Sequence, residues 1–128
     1  QIKGMSVAVL GLSFKPGTDD MRESPSLDLV PSLVESAKEV KVFDPVAMDE
    51  ASKYINDVYF ASKIEDCISN VDLTIILTEW GDFRTLSADY LSKYMRGNVV
   101  VDFRNALNPE NFINKNFTLH QVGRGPFN

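Results

Sequence analysis

One cysteine, one histidine and one tryptophan are all that this 128-residue chain offers of the residues most often recruited for metal binding, nucleophilic catalysis and large aromatic contacts. A lone Cys67 excludes an internal disulfide and fits a reducing, cytoplasmic compartment. With His120 as the only histidine, a zinc site or a Cys-His nucleophile pair has too few parts. No apolar run approaches the roughly 20 residues of a membrane helix, and no charged n-region with an apolar h-region marks a secretory signal. Basic residues are outnumbered, 13 Lys and Arg against 18 Asp and Glu, for a formal net charge of −5. That balance argues against a general nucleic-acid binder, whose affinity rests on a basic face. Both common phosphate fingerprints are absent: Gly11 and Gly17 are spaced as neither the G-x-G-x-x-G of a dinucleotide site nor the G-K-[ST] ending of a P-loop. An initiator Met is missing too, since Gln1-Ile2-Lys3-Gly4 runs almost at once into an apolar segment. That start leaves two readings, a domain of a longer protein or a small protein trimmed or tagged.

The length suits one domain, residues 1–128, with a single core. Hydrophobic residues at 44% and charged residues at 24% are ordinary for a globular chain. The organising stretch is Val7 to Pro25. Val7-Ala8-Val9-Leu10 is apolar without alternation, as in a strand buried on both faces, and Gly11 ends it. A polar loop with Lys15, Gly17, Thr18, Asp19, Asp20 and Arg22 follows, and Ser24-Pro25 then opens a helix by cap-plus-proline logic.

Leu27, Val30, Leu33, Val34 and Ala37 give that helix a core-facing stripe, interrupted by Pro31, which either kinks it or marks its true start. Val40–Phe43 reads as a second strand and Met48–Tyr54 as a short helix. Asp57–Phe60 reads as a third strand. Ser62-Lys63-Ile64-Glu65 has the form of a capping box, and Cys67 falls on the buried face of the helix it would start. Leu73–Leu77 is a fourth strand. Asp82-Phe83-Arg84 suits a helical turn, and Ser87 caps a helix from Ala88 to about Met95, with Leu86 and Leu91 placed as a hydrophobic staple. Val99–Val101 is a fifth strand, Asn108-Pro109 starts a short helix, and Phe117–Val122 is a sixth, edge strand. Residues 123–128 are expected to fray as a flexible tail. This alternation predicts an α/β fold of three layers, α/β/α, with a doubly wound parallel sheet of five to six strands.

In such a sheet the carboxyl ends share one edge, where ligands bind. The residues gathered there are Lys15 and Arg22 after the first strand, Asp44 after the second, Glu79 and Trp80 after the fourth, and Arg104 after the fifth. Three cations at the ligand edge of an acidic domain point to a phosphate-bearing anion held by side chains, with solvated loop charge as the equal alternative for Lys15 and Arg22. Two or three charge-assisted hydrogen bonds, at roughly 1.5–3 kcal/mol each, support micromolar binding at best. Asp44, Glu79 and Asp102 suit loop fixing, Trp80 and Phe14 partly buried packing.

Gly-Leu-Ser-Phe-Lys-Pro-Gly-Thr-Asp-Asp-Met-Arg-Glu-Ser-Pro from Gly11 to Pro25 resembles the signature that opens the C-terminal domain of the UDP-glucose/GDP-mannose dehydrogenase family. Phe43-Asp44-Pro45, Thr78-Glu79-Trp80 and Val101-Asp102-Phe103-Arg104-Asn105 match later landmarks in the right order, so the resemblance covers nearly the whole chain. It implies a Rossmann-like, nucleotide-sugar-binding domain of a cytoplasmic oxidoreductase of polysaccharide biosynthesis. Such enzymes join an N-terminal NAD-binding domain, a dimerising middle domain and this one. They oxidise the sugar C6 alcohol to a carboxylate in two NAD-dependent steps, through a thiohemiacetal on a cysteine. The resemblance gives Phe14 and Lys15 the role of contacting the substrate nucleotide and sugar, and Arg104 that of holding the substrate from the far side of the cleft. It gives Arg22 the role of reaching the NAD diphosphate across the domain interface. No residue here is catalytic by that match and no metal is implied. The partners implied are a UDP-sugar, the other two domains and a second copy of the full-length chain, with neither nucleic acid nor membrane.

The family's glycine-rich NAD loop and catalytic cysteine motif are missing, and the surroundings of Cys67 resemble neither, so the chain alone should be inactive, with NAD bound mainly by the N-terminal domain. The motifs look closer to the UDP-glucose enzymes, which make UDP-glucuronate, than to the GDP-mannose or UDP-N-acetylmannosamine ones. Two other classes remain as alternatives. A phospho-acceptor receiver-like module would need an aspartate after the third strand, where this chain has Phe60-Ala61-Ser62. A purely structural or assembly domain would show no response to nucleotide.

Overall fold

The computed structural model describes residues 2–13, 15 and 17–128. Seven strands form one sheet in the order β3-β2-β1-β4-β5-β6-β7. They are β1 Ser6–Leu10, β2 Glu39–Phe43, β3 Tyr59–Phe60, β4 Leu73–Ile76, β5 Val99–Asp102, β6 Thr118–Gln121 and β7 Arg124–Phe127. All neighbours from β3 to β6 pair in parallel, and β7 alone runs antiparallel, against β6. The helices are α1 Ser26–Ser36, α2 Met48–Ala51, α3 Ile64–Ile68, α4 Gly81–Arg84 and α5 Ala88–Leu91, with a 3₁₀ turn at Pro109–Asn111.

Strand β1 shows why the layers are three. All five of its residues are buried, and its alternate side chains enter different cores. Val7 and Val9 pack with Val30 and Leu33 of α1 and Ala51 of α2. Ala8 and Leu10 pack with Cys67 of α3, Phe83 of α4 and Leu91 of α5. A strand apolar on both faces can be satisfied only between two helical layers. The strand order is that of a doubly wound Rossmann-like sheet, with the chain reversing direction of travel at β1 and β4.

Several local expectations are corrected. Five to six strands become seven, because residues 123–128 are not a frayed tail: Gly123, at φ +75°, turns the chain so that Arg124–Phe127 lies back along β6. Strand β6 is therefore interior to the sheet. Pro31 does not mark the start of α1, which begins at Ser26 and runs through Pro31 on its exposed side. Ser62 does not cap α3; Lys63 stands at the cap position, and the Ser62 hydroxyl reaches the Asp66 carboxylate at 3.3 Å instead. The Ser87 cap forms as expected, its Oγ accepting from the Tyr90 N–H at 3.2 Å, and both staple leucines, Leu86 and Leu91, lie in the same core. Helix α5, however, is regular only to Leu91. No helix among the described residues is long and apolar enough to cross a membrane.

Candidate functional site

The carboxyl edge is built on two buried aspartates, each of which turns a strand end into a fixed loop. Asp44, after β2, is 1% exposed. Its Oδ2 accepts from the N–H groups of Leu12 at 2.7 Å and Ser13 at 3.2 Å, and its Oδ1 from Val46 at 2.9 Å and Ala47 at 2.8 Å. One carboxylate thus ties the loop after β1 to the loop after β2. Asp102, the last residue of β5, is fully buried. Its Oδ1 accepts from the Arg104 N–H at 3.1 Å, and its Oδ2 from the Leu107 N–H and Gln121 Nε2, both at 2.9 Å. These bonds satisfy donors that a chain leaving a parallel sheet would otherwise orphan.

The loop after β1 is pinned at further points. Thr78 Oγ1 donates to the Ser13 carbonyl at 3.0 Å, and Ser13 Oγ donates to the Lys15 carbonyl at 2.9 Å. Ser24 and Ser26, at the start of α1, both send their hydroxyls to the Leu12 carbonyl, at 2.5 and 2.6 Å. The expected Ser24 cap is corrected: Pro25 stands at the cap position without a side-chain cap bond, and the Ser24 hydroxyl serves the β1 loop instead; Ser26 as an anchor has no signal in the sequence beyond its position beside Pro25. Threonine 78 was likewise identified only as part of a motif; that it braces the β1 loop is visible only once β1 and β4 are neighbours.

The cations are placed at this edge but not together. Lys15 is exposed on the β1 loop. Arg22 is on the same loop, its side chain 88% exposed, and grips Asp20 with Nε on Oδ1 and Nη2 on Oδ2, both at 3.0 Å. The Arg22 guanidinium, with its backbone N–H, draws the Asp20 carboxyl down to about 2. This pair lies on a hollow of about 440 Å³ shared with Glu50 and Tyr54. Arg104 belongs to a different hollow, an apolar cleft of about 230 Å³ lined also by Pro25 and Leu29 of the α1 start, Leu77 after β4 and Phe103 after β5. Its guanidinium is paired with Glu79, Nη2 to Oε1 at 2.8 Å and Nε to the same oxygen at 3.0 Å. The expectation of three cations waiting for an anion therefore needs correction: both arginines already hold a carboxylate. Phe14 lies outside the described residues.

Cys67 is buried, and loss of water around it pushes its thiol up to about 12, which removes the thiolate that a nucleophile needs. Trp80 is half-buried against the core of α3–α5, and His120 is exposed on β6. The cleft beside Arg104 sits where the chain reverses between β1 and β4, the place at which open α/β sheets bind ligands. An apolar slot with one arginine at its wall suits a ligand with a ring and an anionic group.

The UDP binding domain of the UDP-glucose/GDP-mannose dehydrogenase family matches residues 8–109. A UDP-glucose 6-dehydrogenase of Rickettsia prowazekii is 37% identical over 125 residues, covering 95% of this chain and 29% of that protein. Among solved structures, an NDP-N-acetyl-D-galactosaminuronic acid dehydrogenase of Methanosarcina mazei superposes with a TM-score of 0.82 at 29% identity, over 98% of this chain and 26% of that one. A UDP-glucose dehydrogenase of Pyrobaculum islandicum gives a TM-score of 0.67 at 37% identity, over 79% and 22%. The chain spans less than a third of the length of each of these relatives.

Proposed function

The chain belongs to the UDP-glucose/GDP-mannose dehydrogenase family, and we propose that it serves as the nucleotide-sugar-binding domain of a cytoplasmic, NAD-dependent UDP-glucose 6-dehydrogenase, which converts UDP-glucose to UDP-glucuronate. The observation that carries this reading is Arg104, fixed by its backbone to Asp102 at the mouth of an apolar cleft at the sheet's switch point. There Arg104 would hold the substrate's anionic part, with Lys15 of the pinned β1 loop adding a second cation. Phe14, beside Lys15 in sequence, is assigned to the same contact by its motif alone. On this reading the oxidation falls to the other domains, the buried Cys67 thiol being unsuited to it.

NAD, when bound, supplies the hydride acceptor, and this chain's contribution to it would be Arg22. The residues fit that limited role. Arg22 projects from the surface with its Nε and Nη2 on Asp20, which leaves further N–H donors for a diphosphate. Binding the rest of the dinucleotide, dimerisation and the catalytic thiol are functions for the other domains of such an enzyme.

The test is a titration of this chain with UDP, UDP-glucose, GDP and NAD, followed by two-dimensional NMR. Selective movement by UDP and UDP-glucose of the resonances of residues 11–22 and of Arg104 is expected. Equal response to GDP, or none at millimolar UDP, would count against the reading. An N-acetylated nucleotide sugar is included, because the Methanosarcina structure, the better superposition of the two, is named for one.

A further inference from the structure

The Glu79–Arg104 pair is lopsided. Glu79 follows β4 and Arg104 follows β5, neighbouring parallel strands whose last paired residues are Ile76 and Asp102. The guanidinium meets Glu79 through a single oxygen, Oε1, using one side of its fork, Nε at 3.0 Å and Nη2 at 2.8 Å. Among the described residues Nη1 meets no acceptor, so the end-on pair of N–H groups, one on Nη1 and one on Nη2, is left to donate elsewhere. Backbone and side chain are held independently: Asp102 fixes the Arg104 N–H, and Glu79 fixes the guanidinium. Both side chains are about one-third exposed, 34% for Arg104 and 37% for Glu79, so the pair is largely sheltered yet reachable from solvent. The Asp20–Arg22 pair, in contrast, uses both carboxylate oxygens and leaves Arg22 88% exposed.

We propose that Glu79 is a positioning residue for ligand binding: it holds the Arg104 guanidinium so that its end-on N–H pair faces the anionic group of the ligand in the adjacent cleft. This rests on the reading of Arg104 as a ligand contact. A flexible arginine would lose rotamer freedom on binding; one already oriented loses less, which favours affinity. The opposite effect is also physical, since a carboxylate beside the cation subtracts from its attraction for phosphate. Orientation and charge therefore predict opposite outcomes when Glu79 is removed, and the two can be told apart.

UDP is the probe, and its affinity for wild type, Glu79→Ala, Glu79→Gln, Arg104→Ala and the Glu79→Ala/Arg104→Ala double variant is measured by NMR titration, with the unliganded spectra confirming an intact fold. Positioning predicts that Glu79→Ala weakens UDP about 5- to 10-fold. Glu79→Gln, which keeps an acceptor for the guanidinium, stays within about 2-fold of wild type. In the Arg104→Ala background the further loss of Glu79 changes nothing. Tighter binding in both Glu79 variants, or unchanged binding in Glu79→Ala while Arg104→Ala is weakened, overturns the proposal and leaves the reading of Arg104 intact. Wild-type affinity in Arg104→Ala, or no UDP response in wild type, overturns that reading and the proposal with it. A loss in Glu79→Ala that persists undiminished in the Arg104→Ala background marks a structural role and likewise overturns it.

Discussion

Gly11 and Thr78 leave no room for a carbon atom between them: a Cβ on Gly11 would stand 2.6 Å from Thr78 Cβ and 2.7 Å from the Thr78 backbone nitrogen. Gly11 also adopts φ +94°, a left-handed conformation unfavourable for L side chains. This contact closes β1 against the end of β4 at the point where the ligand edge begins. Gly11→Ala should therefore cost about 2–4 kcal/mol, from backbone strain and overpacking together, read by urea unfolding. Adding Thr78→Ala should not restore the loss, because the backbone nitrogen would still clash.

Asp44 satisfies four backbone N–H groups with one buried carboxylate. Asp44→Ala removes every acceptor and lets water into the loop junction, for an expected loss of about 3–5 kcal/mol. Asp44→Asn keeps one acceptor but turns an amide NH₂ toward donors, so it should lose about 2–3 kcal/mol. Both variants should blur the β1-loop resonances before the rest of the spectrum, since the loop is held at its root by this side chain.

How much of this was legible in the sequence depends on the distance over which the signal acts. Strands β1 to β5 announce themselves through local apolar runs, and the Ser87 and Asn108 caps through residues two or three positions away. Strand β7 does not: Arg-Gly-Pro-Phe contains neither alternation nor β-branched residues, and only pairing with Leu119 and Gln121 makes it a strand. At the site, sequence placed Lys15, Arg22 and Arg104 at the carboxyl edge correctly. It gave no sign that Arg104 is held by Glu79, 25 residues away, because that contact exists only once β4 and β5 lie side by side. The Asp20 partner of Arg22, two positions off, lies within local reach of the sequence.

Asp72 couples stability to pH. Its carboxylate takes Arg96 Nε and Nη2 at 2.9 and 2.7 Å and the Ser6 N–H at 2.9 Å, and the Arg96 guanidinium, with that N–H, lowers it from 3.8 to about 2. A carboxyl whose folded value is depressed contributes its stability above the unfolded value near 4, and loses it as pH falls toward the folded one. Asp72→Asn should thus be less stable than wild type at pH 7 by about 1 kcal/mol at most, given the 54% exposure of the Arg96 side chain. The gap should narrow between about pH 4 and pH 2. Parallel melting curves at pH 7, 4 and 2.5 check it; a gap that widens on acidification would contradict the assignment.

Strand β7 is the element most open to a decisive test, since nothing local predicts it. Phe127 packs against the core that holds Leu119, Phe112 and Phe117, and Leu119 pairs with Phe127 across the two strands. Ending the chain after Val122 would uncover the outer edge of β6, strip that ring from the core and leave the β6 backbone to water. The expected cost is about 2–3 kcal/mol, most of it the transfer of one buried aromatic face, with the parallel part of the sheet intact. Amide exchange should quicken in Thr118–Gln121 and stay unchanged in β1 and β4. Phe127→Ala separates the two contributions: if side-chain burial dominates, it reproduces most of the loss in stability while β6 keeps its slow exchange, and if strand pairing dominates it leaves stability close to that of the intact chain.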